Sequence, residues 1–137
     1  MSEYRLFYLL SVFYLVAGCT VQPQRDCPIG MQAMVSDTLY FGTAMPEGSV
    51  VSDEDWSQFV DSIVTPLFSR GLSFWPASGQ WQSQSGAILV ESSYVLNLVH
   101  PEDETSETAV NEIIDTYKTE FSQEAVMRIK ENSCVSY

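Results

Sequence analysis

The only histidine of this chain, His100, stands in the stretch VHPEDE, just ahead of Glu102, Asp103 and Glu104. An imidazole beside carboxylates could hold a divalent cation or pass a proton, and any histidine-dependent reaction must use it. The simpler reading is structural: Pro101 ends a strand and the acids open a helix, where the positive end of the helix favours them. Arg70, in the turn FSRGL, could clamp a carboxylate ligand or offset the negative end of the preceding helix. Trp75, Trp81 and Tyr94 offer aromatic surface near one hairpin, for sheet packing or, if exposed, for binding. No HExxH, paired CxxC, GxSxG or phosphate-cradling glycine loop occurs, so no catalytic residue, metal ligand or cofactor is assigned. Asp53, Glu54 and Asp55 resemble a cation site only superficially, because adjacent helical residues do not share a face.

The three cysteines separate by position. From Leu6 to Ala17 the chain is about a dozen largely apolar residues, short of the roughly 20 that a membrane-spanning helix needs. That length suits the apolar region of a secretory signal, with Arg5 and the amino terminus as a positive flank that Glu3 weakens. The run ends in Val16-Ala17-Gly18-Cys19, which resembles the lipobox of bacterial lipoproteins. The resemblance implies cleavage before Cys19, a diacylglycerol on its thiol and a further acyl chain, such as palmitate, on its amine. Two or three acyl chains anchor durably, at about 0.8 kcal/mol per buried methylene. Thr20 in place of aspartate favours the outer membrane, facing the periplasm. Residues 1–18 are then signal peptide, 19–36 a tether carrying Pro, Gly and Gln, and 37–137 a single domain.

Outside the cytoplasm the remaining pair, Cys27 and Cys134, is expected to form a disulfide. The net charge of −12 is unchanged by removal of the signal, and no Lys/Arg cluster exists. Nucleic acid is therefore excluded as a partner class.

Positioning falls to elements that the patterning outlines. TLYFGT, Thr38 to Thr43, reads as a strand with Leu39 and Phe41 on one face and Tyr40 on the other. Ser52 with Asp55 forms a capping box, opening a helix whose stripe is Trp56, Phe59, Val60, Ile63 and Leu67. Pro66 should end or kink that helix near Thr65. Leu72 to Trp75 begins a second strand, continuing irregularly to Trp81. Ile88 to His100 forms a third extended region, with an interruption possible at Ser92-Ser93. Thr105 or Ser106 caps a second helix with the stripe Val110, Ile113, Ile114, Tyr117 and Phe121. Finally Ala125, Met127 and Ile129 alternate with Val126, Arg128 and Lys130 in a fourth strand.

The order β-α-β-β-α-β, with two amphipathic helices on one sheet face, is the ferredoxin-like α+β two-layer sandwich. Its strand order, 4-1-3-2, sets the first and fourth strands side by side and antiparallel, bringing Cys27 and Cys134 to one edge. On the uncovered face the pattern places Val95, Val99 and Val126 with Tyr40, Asn97, Arg128 and Lys130. Such a semi-apolar face suits an envelope protein partner or a second copy in a homodimer.

TPLFSRGLSFWPASGQW, VLNLVHPED and the terminal CVSY together resemble a family of small bacterial secreted proteins and lipoproteins of unknown function. The family motif reads approximately TPRFPxGLT, followed by GQW and a strand ending in VHP. Here Leu67 replaces the motif arginine and Ser69 its second proline, which leaves Arg70 as the nearby cation. The resemblance spans about Leu39 to Tyr137 and implies no activity. The leading expectation is a lipid-anchored, non-catalytic interaction module using the open sheet face. The alternative is a ligand-binding or enzymatic domain with a pocket near His100, Arg70 and Trp81. Convergence of these residues on one cleft favours the alternative; scatter favours the first.

Overall fold

The computed structural model describes residues 26–137, apart from Ser83 and Gln84 and the side chains of Trp81 and Leu89. The signal segment, Cys19 and the start of the tether lie outside the described residues. Four strands, β1 (Gln32–Gly42), β2 (Leu72–Gln82), β3 (Ile88–His100) and β4 (Met127–Val135), form one sheet in the order β2-β3-β1-β4, every pair antiparallel. Between them run α1 (Asp53–Phe59), a π-helical stretch Val60–Val64, the short turn α2 (Thr65–Leu67), and α3 (Glu104–Glu120). This is the ferredoxin-like α+β plan, with the anticipated strand order.

The core lies between the sheet and the helices. Leu39 and Phe41 of β1 and Leu96 and Leu98 of β3 meet Trp56, Phe59 and Val64 from one helical segment and Val110, Ile113 and Tyr117 from the other. Each of these residues removes most of its apolar side chain from water, worth about 1.5–3 kcal/mol for a residue of this size. Trp56 is its aromatic hub, stacked on Tyr94 at 4.4 Å between ring centroids and edge-on to Phe74 and Tyr117. Tyr94 therefore faces the core and donates its hydroxyl hydrogen to Asp53, a correction to its place among surface aromatics. Burial, with Asp53 beside it, pushes the Tyr94 phenol up to about 12.

Several boundaries differ from the sequence expectation. β1 starts at Gln32, so residues 32–36 of the expected tether are strand; the central strand is held by partners on both sides, which overrides its weak local pattern. The first helical segment does not stop at Thr65. Its π-helical stretch inserts one residue into the turn, so Val64 is fully buried while Ile63 and Leu67 are only half-buried, and the chain stays helical past Pro66 to Leu67. Neither β2 nor β3 is interrupted. Asp103, not Thr105 or Ser106, caps α3 by accepting from the Ser106 N–H at 2.7 Å.

The largest correction is the facing of β4. Arg128 pairs in register with Leu39 and Lys130 with Asp37, residues on the helix side of the sheet, so both cations lie under the helices and not on the open face. Val126 packs against the core as well. Met127 and Ile129 take the open face and are 56% and 41% exposed. A shift of one residue exchanges every side chain between faces, and in the register observed Arg128 meets the buried Asp37 while two apolar residues stay outside on an edge strand.

The cysteines at the sheet edge are joined. Cys27, ahead of β1, is bonded to Cys134 near the end of β4, with their Cα atoms 5.6 Å apart.

Candidate functional site

At the middle of β1 a carboxylate, Asp37, is fully buried on the helix side. Arg128 grips it with two hydrogen bonds, from Nε to Oδ1 at 2.8 Å and from Nη2 to Oδ2 at 2.7 Å. The same guanidinium donates to Glu107 of α3 at 2.6 and 2.9 Å, and Lys130 Nζ adds a bond to Glu107 at 2.8 Å. Burial alone would raise the Asp37 pKa; the hydrogen bonds from Arg128 and His100 outweigh it and hold the carboxyl below its usual range. Bonds from Arg128 and Lys130 hold Glu107 down at about 2.

His100 completes this group. Its Nε2 lies 2.9 Å from Asp37 Oδ2 and its Nδ1 lies 2.7 Å from the Pro101 carbonyl oxygen. Both neighbours are acceptors, so both contacts are hydrogen bonds together only when each ring nitrogen carries a hydrogen. Both ring nitrogens thus face protein oxygens within hydrogen-bond distance, and which of them donates depends on the tautomer. Glu102 and Glu104 make no metal set with it: among the described residues no group of His, Cys, Asp and Glu is gathered to hold a metal ion. Sequence reasoning singled out His100 and Arg128 but not the Asp37 that links them; its position at a core-facing step of a strand pattern was the available signal.

Both carboxylates bind their protons less readily in the fold than in the unfolded chain. Stability from them is therefore complete above the ordinary carboxylate range and is lost as pH falls, for Glu107 from 4.5 toward about 2. Glu107 is 40% exposed and screened by water, so Asp37 dominates this acid limb. Urea unfolding midpoints measured across that range should fall steeply for the parent and far less for Arg128→Met.

One side of His100 looks into a cleft of about 680 Å³, within the range of about 300–1,000 Å³ usual for small-molecule sites. The cleft occupies a missing corner of the sheet. β2 begins only at Leu72, opposite Leu98, so Val99 and His100 are paired on the β1 side alone. Phe68 to Gly71 form one rim and the first turns of α3 another, with Thr105, Ser106 and Ala109. Gly71, at φ +144°, takes the backbone from that rim into β2 through a region that L side chains rarely adopt. Phe68 packs its ring on the imidazole, 5.6 Å between centroids. From the open face Met34, Asn97 and Val99 reach the same cleft. Asn97 is braced there, its amide donating to Ser36 Oγ at 3.0 Å and Thr38 Oγ1 at 3.1 Å.

Three of the sequence candidates, His100, Arg70 and Asn97, thus converge on one cleft. Trp75 and Tyr94 do not: Trp75 is 46% exposed on β2, and Tyr94 is in the core. Arg128 belongs to the ion-pair group behind His100. Trp81 lies on β2, its side chain outside the described residues. Of the stretches that carry the resemblance, residues 67–73 and 99–101 line the cleft.

The fold has known counterparts. A phage SAM lyase in complex with S-methyl-5′-thioadenosine is 16% identical, with a TM-score of 0.54 over 85% of this chain and 97% of the other. CutA from Synechococcus elongatus is 11% identical, with a TM-score of 0.52 over 77% of this chain and 83% of its own. At such identities the likeness is one of fold. No curated protein matches by sequence. Residues 36–137 match a family described as protein of unknown function (DUF3574).

Proposed function

The chain belongs to this family of proteins of unknown function, DUF3574, and from that premise we propose a lipid-anchored protein of the bacterial envelope whose domain binds a small molecule in the cleft beside Arg70 and His100. The observation that carries the binding reading is convergence. Residues from the turn after α2, the end of β3, the start of β1 and the first turns of α3, distant in sequence, meet around one cavity of ligand size. Binding is favoured over catalysis because both nitrogens of the single histidine are engaged with acceptors. Affinity purification of the tagged protein from its own envelope, with bound small molecules identified by mass spectrometry, tests the reading. A ligand lost on Leu67→Trp, which would fill the cleft, supports it; an identical ligand set in that variant refutes it.

The anchor is supported by cysteine pairing. With Cys27 bonded to Cys134, Cys19 is the one cysteine of three left for acylation. A disulfide also suits an oxidising compartment, and among the described residues no helix is long and apolar enough to cross a membrane. Radiolabelled palmitate should be incorporated by the parent and not by Cys19→Ala, which should leave the membrane fraction.

A second reading, an envelope protein docked on the open sheet face, is favoured by the exposure of Trp75, Met127 and Ile129 there. A photocrosslinker at Met127 should trap that partner; absence of any adduct in cells counts against it.

A further inference from the structure

Resting on the reading of the cleft as a binding site, we infer that its ligand is a small organic anion, a carboxylate or phosphate carried on an apolar body. The chain has 18 acidic residues against 6 basic ones, yet no Asp or Glu lines the cleft, and its basic lining side chains are Arg70 and His100. His100 is already committed to Asp37. Arg70 is exposed and, among the described residues, has no carboxylate partner, so its guanidinium is the charge left to offer. Its planar fork of N–H donors matches a carboxylate or phosphate in bidentate fashion.

The surroundings agree with that chemistry. Ser69, Ser73, Thr105 and Ser106 line the same cleft, and serine and threonine hydroxyls can donate to anionic oxygens. Asp103, just ahead of the lining residues Thr105 and Ser106, is turned to the Ser106 N–H as a cap of α3. Leu67, Phe68 and Val99 give the cleft an apolar stretch of wall, which would cover a hydrocarbon or aromatic body. A cationic ligand would meet Arg70 with no Asp or Glu side chain lining the cleft to offset the repulsion.

The chain's single histidine supplies the assay, since its imidazole C–H signals are unique in an NMR spectrum. Phenylacetate, phenyl phosphate, benzyl alcohol and benzylamine are titrated separately into the detergent-purified full chain. Either anion, or both, should shift the His100 signals saturably, with one or other preference identifying carboxylate or phosphate. Arg70→Gln should weaken anion binding about tenfold or more, and Arg70→Lys by less, while the benzyl alcohol response stays unchanged. If benzylamine or benzyl alcohol binds as tightly as the anions, or if Arg70→Gln has no effect, the anion inference falls and the cleft remains a binding site. If none of the four perturbs His100, both fall.

Discussion

Cys134→Ser should unfold about 2–5 kcal/mol more easily than the parent protein, the cost usual for losing a native disulfide. The two cysteines are 107 residues apart in sequence, so the bond closes nearly the whole domain, and the chain-entropy treatment gives about 4.7 kcal/mol for a loop of about 100 residues. The folded state adds a local reason. β4 is an edge strand paired only with β1, its Met127 and Ile129 stand in solvent, and Cys134 anchors its far end. Urea unfolding with and without reductant provides the measurement. Reductant should lower the parent's stability to that of the variant and leave the variant unmoved. Cys27→Ser should cost the same, and the double variant no more than either single one, because both substitutions remove one bond. A parent indifferent to reductant would overturn the prediction.

Arg128→Met should cost about 3–5 kcal/mol, the usual penalty for leaving a buried charge without its partner. Asp37 is fully buried and takes two of its hydrogen bonds from Arg128; without them it retains His100 and loses the cation that outweighs its desolvation. Asp37→Leu alone should also be damaging, since it takes the carboxylate from the imidazole and leaves the guanidinium with the Glu107 carboxylate. The informative variant changes all three, Asp37→Leu with His100→Phe and Arg128→Met, and should recover most of the loss, because apolar residues of similar volume replace buried ion pairs at little or no cost. Denaturant midpoints at neutral pH would show the pattern; additive losses through the triple variant would mean the three groups act independently. If the triple variant is stable, the ion-pair group is not required for folding, and its retained role is to hold His100 at the back wall of the cleft.

Much of the scaffold was readable from the chain. The capping box at Ser52 and Asp55 forms as its spacing requires, with Asp55 accepting from the Ser52 N–H at 3.0 Å. The stripe Val110, Ile113, Tyr117 and Phe121 is the buried face of α3 and its end, since a 3.6-residue period survives any packing that keeps the helix intact. Strand order followed from the order of elements. The facing of β4 was not readable, because alternation in an edge strand is ambiguous when each face carries something apolar and something charged. Tyr94 was misplaced for a related reason: an aromatic residue at a strand position belongs to either face until the register is set. Trp56 was read correctly as core, although its indole nitrogen is buried without a hydrogen-bond partner, a cost tolerated by the ring contacts around it.

Local chemistry, then, determined which cysteine closes an apolar run and which two remain to pair, where α1 begins, and which class of fold the alternating elements build. These depend on neighbours within a few residues or on the order of segments along the chain. The tertiary structure alone decided that Asp37, His100 and Arg128, 37 to 128 in the numbering, share one buried ion-pair group, and that Arg70 and His100 open onto one cleft. Such meetings depend on strand register and on where β2 begins relative to β3, and register is set by which whole face of the sheet is buried, a property that no short stretch of sequence contains.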